Sequence, residues 1–429
     1  MNLYRQLLSQ NSEGKSIRVG LIGAGKFGTM YLSQAKHTPG VSITAVVDKI
    51  PSKAEKALDH YGASKAHITD DPFEVIQNPD IDVIIDATGS PTAGISHVLD
   101  CCEYNKNIIM VNVEADALAG PILAKKANKA GIIYSLAYGD QPALICEQVD
   151  WARTSGFDVI AGGKGTKYLD GFHEVTPDDV WEHYGLTSEQ AEMGGLNAKM
   201  FNSFLDGTKS AIEMAAVSNA TGLSPAPEGL KFPPVGVNDL PNFLKPESEG
   251  GMLHHKGQVE VVSSQKRDGK DVLGDLRWGV YVVLEATSDY VSRCFKEYGL
   301  ITDKSGCYTA MWKPYHLIGM ELGISVASVS LRNEPTGSPT EFIGDAVAIA
   351  KRNLQEGEIL DGEGGYTVYG KLMPSVDSLA NKCLPIGLAQ GIALNTDVHA
   401  GSPITWDQVN IDLTSQAVKL RREMESLVA

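Results

Sequence analysis

The sequence of 429 residues predicts an α/β protein: a doubly wound parallel sheet, then an α+β part, then a small β-rich tail. Three observations carry this. Up to residue 150 or so, strand-length apolar runs alternate with helical stretches, separated by short Gly/Pro punctuation. The first of those runs ends in VGLIGAGKFGTM, with Gly23, Gly25 and Gly28 spaced G-x-G-x-x-G at a strand-to-helix junction. Beyond residue 150 the alternation stops and Gly, Asn and aromatic residues become frequent.

In chain order, IRVGLIGAG reads as a strand running into the glycine turn and FGTMYLSQAKH as a helix. VSITAVVDK is a second strand. PSKAEKALDHYG is a helix opened by Pro51-Ser52 and closed by Gly62. DVIIDATG is a third strand, apolar enough to be buried on both faces. A helix over SPTAGISHVLDCCEYN, a strand over NIIMVNVE, a helix over LAGPILAKKANKAG and a strand over IIYSLAYGD complete the series. The middle mixes strand-like runs, QVEVVSSQ and RWGVYVVLEA, with long irregular stretches. A Pro/Gly-rich linker is expected from Glu334 to Pro339. The tail carries short strands, a weak internal echo between AKRNLQEGEIL and ALNTDVHAGSPIT, and a closing helix over VKLRREMESL. The expected domains are 1–152, 153–335 and 336–429.

A hydrophobic share of 43% suits a packed protein of two or three domains. The net charge of −16 argues against nucleic acid and anionic membrane surfaces as partners, and leaves room for a local cationic pocket. No apolar leader and no stretch long enough to span a bilayer is read. The six cysteines are scattered without a C-x-x-C, as expected of reduced thiols in the cytoplasm.

The glycine turn is expected to bring backbone N–H groups and a helix N-terminus against a dinucleotide pyrophosphate, with Lys26 and Phe27 opening the helix beside Gly23, Gly25 and Gly28. Asp48, at the end of the second strand, is placed to bond adenosine ribose hydroxyls, which favours NAD. Lys49, or Lys53, can instead meet a 2′-phosphate. Gly89, Ser90 and Pro91, at the exit of the third strand, are expected to flank the cofactor.

Further strand exits offer chemistry. Glu114 and Asp116 face one side if the chain there is extended, and together with Asp140 can hold Mg or Mn or act as acid and base. Helix capping by Asp116 and by Asp140 is the alternative. Lys164 and Lys167 lie in a glycine-rich run suited to a phosphate or carboxylate, with Lys313 a further cation; exposed loop lysines are the alternative. NSFLDGTKSAIEMAAVSNATG reads as one buried helix with a polar stripe of Asn202, Asp206, Lys209 and Glu213. A lysine buried between carboxylates can be tuned as a proton donor; the alternative is a solvated amphipathic face. Arg277, Lys304 and His316 are weaker cationic candidates. The absence of G-x-S-x-G, H-E-x-x-H and Walker patterns counts against hydrolases and kinases.

The strings GLIGAGKFGTM, MVNVEADALAG, YGDQPAL, MFNSFLDGTKSAIEMAAVSNATGL, DLRWGVYVVLEA, KPYHLIGMELGISVASV and LDGEGGYTVYGKLMP, which run over nearly the whole chain, resemble the deoxyxylulose-phosphate reductoisomerase-like (DRL) enzymes, relatives of homoserine dehydrogenase. The tail resembles a SAF-type β-clip domain. The resemblance implies a Rossmann dinucleotide-binding domain, an α+β catalytic and dimerisation domain, NADPH (or NADH) as cofactor, and a homo-oligomer. Some members convert 1-deoxy-D-xylulose 5-phosphate to 2-C-methyl-D-erythritol 4-phosphate in isoprenoid synthesis. Where homoserine dehydrogenases carry a lysine near the nicotinamide, this chain has Asp116, and Lys209 is a newcomer to their N-G-T helix; both departures argue against homoserine as substrate. Three functions follow: a reductoisomerase acting on a sugar phosphate, a plain dehydrogenase of a sugar phosphate, sugar acid or homoserine-like compound, and a non-catalytic NADP(H) sensor. In the first two, Lys209, Glu114, Asp116, Asp140 and Lys167 are the catalytic candidates, and Lys164, Lys167 and Lys313 the phosphate ligands.

Overall fold

The computed structural model describes residues 2–62, 65–194 and 196–427. Two compact units are present, one of residues 1–147 with 316–340 and one of residues 148–315 with 341–429. This differs from the expected three-part division, because the middle and the tail form one unit and the segment before the tail returns to the first.

The chain opens with a helix that was not anticipated, α1 (Leu3–Ser12), and continues β1 (Ile17–Ile22), α2 (Lys26–Ala35), β2 (Val41–Val47), α3 (Pro51–Tyr61), β3 (His67–Thr69), α4 (Pro72–Ile76), β4 (Val83–Asp86), α5 (Pro91–Glu103), β5 (Asn107–Met110), α6 (Val113–Ala130), β6 (Tyr134–Leu136) and α7 (Gln141–Thr154). The six strands form one parallel sheet in the order β3-β2-β1-β4-β5-β6. The order reverses between β1 and β4, so the crevice for a ligand lies at their carboxyl ends. Val83, Ile84, Ile85 and Asp86 are all buried, as the unbroken apolar run of β4 predicts. The expected strand NIIMVNVE stops at Met110. Asn112 caps α6 by accepting the Ala115 N–H, so Glu114 and Asp116 lie in a helix.

The second unit starts with β7 (Asp158–Thr166), then α8 (Val180–Tyr184), α9 (Ser188–Met193), α10 (Ala198–Leu205), α11 (Thr208–Thr221), α12 (Leu240–Phe243), β8 (Gln258–Ser263), β9 (Val280–Glu285), α13 (Asp289–Glu297) and β10 (Tyr308–Lys313). Its sheet runs β10-β9-β7-β8, with only β7 and β8 parallel. The long helix expected over residues 202–222 is broken: Gly207, at φ 87°, separates α10 from α11.

Residues 316–340 then rejoin the first unit through α14 (Gly323–Arg332), which together with the preceding Leu322 adds Val326, Ala327 and Val329 to the core beside Val19, Leu21 and Ile109. The stretch expected to be a linker is tied down: Gly337 O accepts the Leu136 N–H at 2.7 Å and Thr336 Oγ1 donates to Leu136 O at 2.7 Å.

The tail adds β11 (Gly344–Ala350), β12 (Ile359–Asp361), β13 (Val368–Pro374), α15 (Ser375–Ala380), β14 (Gln390–Leu394), β15 (Val409–Asn410) and α16 (Gln416–Glu425). The two echoing segments lie side by side. Leu354 and Val398 exchange both backbone hydrogen bonds, and the Ala350 N–H donates to Ser402 O. Arg421, fully buried, pairs with Asp345 and Glu425 and lies over the Phe342 ring. No helix among the described residues is long and apolar enough to cross a membrane.

Candidate functional site

The glycine turn is built by exclusion. Gly23 has φ 103°, and a Cβ there would sit 2.6 Å from Ala87 O, at the exit of β4. A Cβ on Gly28 would come within 2.2 Å of Gly23 O, so only glycine lets α2 pack this close to the turn. Gly25, the N-cap of α2, is different: a Cβ there meets nothing within 4 Å. The turn thus leaves open the side on which the N–H groups of α2, from Lys26 and Phe27 on, have no helical partners.

Asp48 stands at the end of β2 beside the turn. Its carboxylate accepts the Ala24 N–H at 3.1 Å and the Ile50 N–H at 2.9 Å, which holds it in place next to the glycines. Lys49 is exposed immediately after it. These residues fit a dinucleotide: an open glycine, a helix N-terminus and a fixed carboxylate at the second strand.

The β4 exit is also fixed from below. Asp86, fully buried, accepts the Thr88 N–H and hydroxyl through Oδ1 at 2.9 and 2.7 Å, while Oδ2 lies 3.0 Å from His97 Nδ1. Asn112 Nδ2 donates to Thr88 Oγ1 at 3.1 Å and Ser90 O at 2.8 Å. Ser90 caps α5, and Gly89 (φ 64°) again leaves open space beside it. Asp86, His97 and Asn112 were not singled out from the sequence. The asparagine before α6 was their one visible signal, as an N-cap type.

The carboxylates at the strand exits are not gathered. Residues two apart on a helix point to different sides, so Glu114 and Asp116 diverge. Asp116 is fully buried and accepts the Tyr134 hydroxyl at 2.7 Å. Burial pushes its carboxyl up to about 7, against the lowering effect of that hydrogen bond. Asp140 precedes α7 and accepts the Gln141 N–H at 2.9 Å. Among the described residues no three His, Cys, Asp or Glu side chains are disposed to hold a metal ion. The trio Glu114, Asp116 and Asp140 is therefore no such group.

In the second unit the polar stripe is divided among separate partners. Asn202 donates to Val175 O and Gly364 O at 2.9 and 3.0 Å. Asp206 faces Lys351, from the tail, as an ion pair at 2.8 Å; the same ammonium donates to Val175 O and Gly365 O, each at 2.8 Å. His173 Nδ1 lies 2.6 Å from Asp206 O and so carries its proton there, and its ring stacks on Tyr369 at 4.5 Å. Glu213 pairs with Lys164. Lys164 is only 4% exposed, so it is a buried half of an ion pair and no part of a loop cradle. Lys209 sits in the first turn of α11, partly exposed. Lys167, just past β7, is partly exposed, and Lys313 ends β10 in register with Val280.

Residues 17–111 match the model of the oxidoreductase family with an NAD-binding Rossmann fold, and residues 139–322 match that of the catalytic domain of the oxidoreductase DRL. Fold and matches together define the class, that of NAD(P)-dependent oxidoreductases. Within it the chain is similar to the homoserine dehydrogenase of Bacillus subtilis (strain 168), 26% identical over 122 residues, which are 27% of this chain and 28% of that protein. It is also similar to the inositol 2-dehydrogenase/D-chiro-inositol 3-dehydrogenase of Lactiplantibacillus plantarum, 33% identical over 75 residues, 17% of this chain and 21% of that one. In both, the match spans less than a third of the relative's length. Among solved structures, the myo-inositol dehydrogenase of Lactobacillus casei, in complex with NAD(H) and myo-inositol, aligns with a TM-score of 0.31 at 18% identity, over 39% of this chain and 50% of that one.

Proposed function

We propose that this chain transfers hydride between a nicotinamide dinucleotide and a carbinol or carbonyl carbon of a small polyhydroxylated compound, a sugar phosphate or sugar acid. The observation that carries the reading is the glycine turn, closed to side chains at Gly23 and Gly28 and open at Gly25, beside the fixed Asp48 carboxylate. Gly25 and the first N–H groups of α2 hold the pyrophosphate, Asp48 the adenosine ribose, and Gly89 and Ser90 flank the rest. Lys49, exposed next to Asp48, meets a 2′-phosphate in this reading, so that NADPH is accepted as well as NADH. The dinucleotide supplies the hydride; the protein supplies binding, orientation and a proton. Lys209 is the proton donor in this reading, with Glu114 and Asp140 as further acid-base groups, and Lys167 holds an anionic part of the substrate. Asp116, turned onto Tyr134, acts on the position of α6.

A reductoisomerase reading, from 1-deoxy-D-xylulose 5-phosphate to 2-C-methyl-D-erythritol 4-phosphate, is favoured by one observation, the match of residues 139–322 to the DRL catalytic domain. It is tested by incubating the purified protein with NADPH, Mg or Mn and deoxyxylulose phosphate, and following the nicotinamide absorbance. Substrate-dependent loss with methylerythritol phosphate as product establishes it. No loss, in a preparation that binds NADPH, removes that substrate and moves the assay to other sugar phosphates and sugar acids. Failure to bind either dinucleotide overturns the oxidoreductase reading itself. Replacing Lys209 by Met is expected to lower kcat by about 100-fold with dinucleotide affinity unchanged; unaltered turnover takes Lys209 out of the chemistry.

A further inference from the structure

We propose that Lys167 and Arg277 form an anion subsite in the second unit that takes a phosphate monoester, the group by which the substrate is held. This deepens the function proposed above and rests on it for the identity of the molecule that carries the phosphate.

Backbone geometry brings the two cations together. Lys167 follows directly on β7, and Gly165 N–H donates to Gly279 O at 3.0 Å. A Cβ on Gly165 would lie 1.8 Å from Leu276 O and 2.9 Å from Arg277 N, so the segment ahead of β9 crosses the end of β7 in direct backbone contact. Glycine at 165 makes this approach possible. Both cations then meet the same ring: the Lys167 ammonium and the Arg277 guanidinium each lie 5.9 Å from the centre of Tyr184, at the end of α8. The guanidinium also lies 4.8 Å from the Trp278 ring, which is 59% exposed.

What surrounds them is short of negative charge. Lys167 donates to a carbonyl, His183 O, and neither cation has a carboxylate within 4.0 Å among the described residues. Asp275 accepts the Arg277 backbone N–H, and Asp271 acts on Lys167 only through its field. Burial and then Arg277 hold the Lys167 ammonium below the usual lysine range. The Tyr184 phenol is pushed up to about 12 by burial and stays neutral. Two like charges close enough to act on each other beside one ring repel, and an anion held by both would relieve that repulsion. The planar guanidinium offers a fork to two phosphate oxygens and the ammonium a point charge to the third. Two cations match a dianion better than a carboxylate. The glycine-rich run in the sequence pairs Lys167 with Lys164; the fold instead pairs Lys164 with Glu213 and gives Lys167 the arginine.

The test reads Lys167 itself. At constant ionic strength, inorganic phosphate is expected to slow acetylation of the Lys167 amine about tenfold, followed by peptide mass spectrometry, while acetate leaves it unchanged. Arg277→Met is expected to abolish the protection and Arg277→Lys to keep part of it. Equal rates with and without phosphate in the unaltered protein overturn the proposal, as does equal protection by acetate, which would make the group a carboxylate. Dinucleotide binding, measured on the same preparations by nicotinamide fluorescence, separates the two readings. Dinucleotide bound without phosphate protection removes the anion subsite alone. Protection without dinucleotide bound removes the cofactor reading and leaves the subsite standing.

Discussion

Three glycines in one turn do different work, and alanine at each separates the roles. At Gly28 the added methyl must displace the Gly23 carbonyl 2.2 Å away. Gly28→Ala is expected to cost about 2 kcal/mol or more in chemical denaturation, in the range of overpacked backbone contacts, and to abolish dinucleotide binding with it. At Gly25 the methyl meets nothing in the protein. Gly25→Ala is expected to cost less than about 1 kcal/mol, the difference between glycine and alanine as N-caps. Dinucleotide affinity should nevertheless fall, since the methyl occupies the open side. Unchanged affinity in a stably folded Gly25→Ala protein would mean that no pyrophosphate lies there. The spacing of the glycines was legible in the sequence, but which of them faces protein and which faces outward was not. That depends on Ala87, which the chain brings in from β4, more than sixty residues on.

At the scale of elements, local periodicity served well where a strand or helix answers only to its neighbours. β1, α2, β2, α3, β4 and α5 lie where apolar runs and Pro/Gly punctuation put them. It failed where a tertiary partner decides. Val113 and Glu114 look like a strand continuing from Ile109, yet Asn112 caps a helix there and Tyr134 bonds Asp116 in its interior. The consequence is measurable. The Asp116 carboxyl, held up to about 7 by burial, is protonated in the folded protein over a range where it is ionised in the unfolded chain. Its contribution is therefore whole below about pH 4 and is lost as pH rises toward 7, at up to about 1.4 kcal/mol per pH unit. Glu260, buried in β8 and also raised to about 7 by burial, adds a loss of the same sign. Asp116→Asn should flatten part of the stability-pH curve between about 4 and 7, read from denaturation midpoints. An unaltered slope would show that Asp116 does not titrate in this window. The polar stripe tells the same story: its i, i+4, i+7 spacing is real, but Gly207 divides the helix, and Lys351 and Lys164 are counter-ions that no local pattern announces.

For the molecule as a whole, the tail is structurally part of the second unit. Lys351 reaches Asp206 and two carbonyls, Gly370 N–H donates to Thr208 Oγ1 at 2.7 Å, and Asn219 Oδ1 accepts the N–H groups of Ile343 and Gly344 at 2.8 and 2.9 Å. Composition alone marked a separate small domain, because short strands and turns look self-contained on paper. Lys351→Met leaves Asp206 buried without its cation and is expected to destabilise by about 3–5 kcal/mol; Lys351→Met with Asp206→Asn should recover a good part of that. Additive losses in the double variant, by denaturation, would show that the two side chains do not act as a pair.

The return of residues 316–340 has a bearing on how the protein is made. Leu322 and α14's Val326, Ala327 and Val329 join a core whose other buried members all lie in the first 137 residues. On the ribosome, that dinucleotide-binding core must wait for its last helix while the intervening segment of the second unit is synthesised. At ordinary elongation speeds this is a delay of roughly 10–30 s. During it, the flank of the sheet that α14 covers is unsealed hydrophobic surface on a nascent chain, a natural substrate for a chaperone. Pausing codons between the two halves of this core would prolong that exposure, and the yield of soluble protein should fall with them.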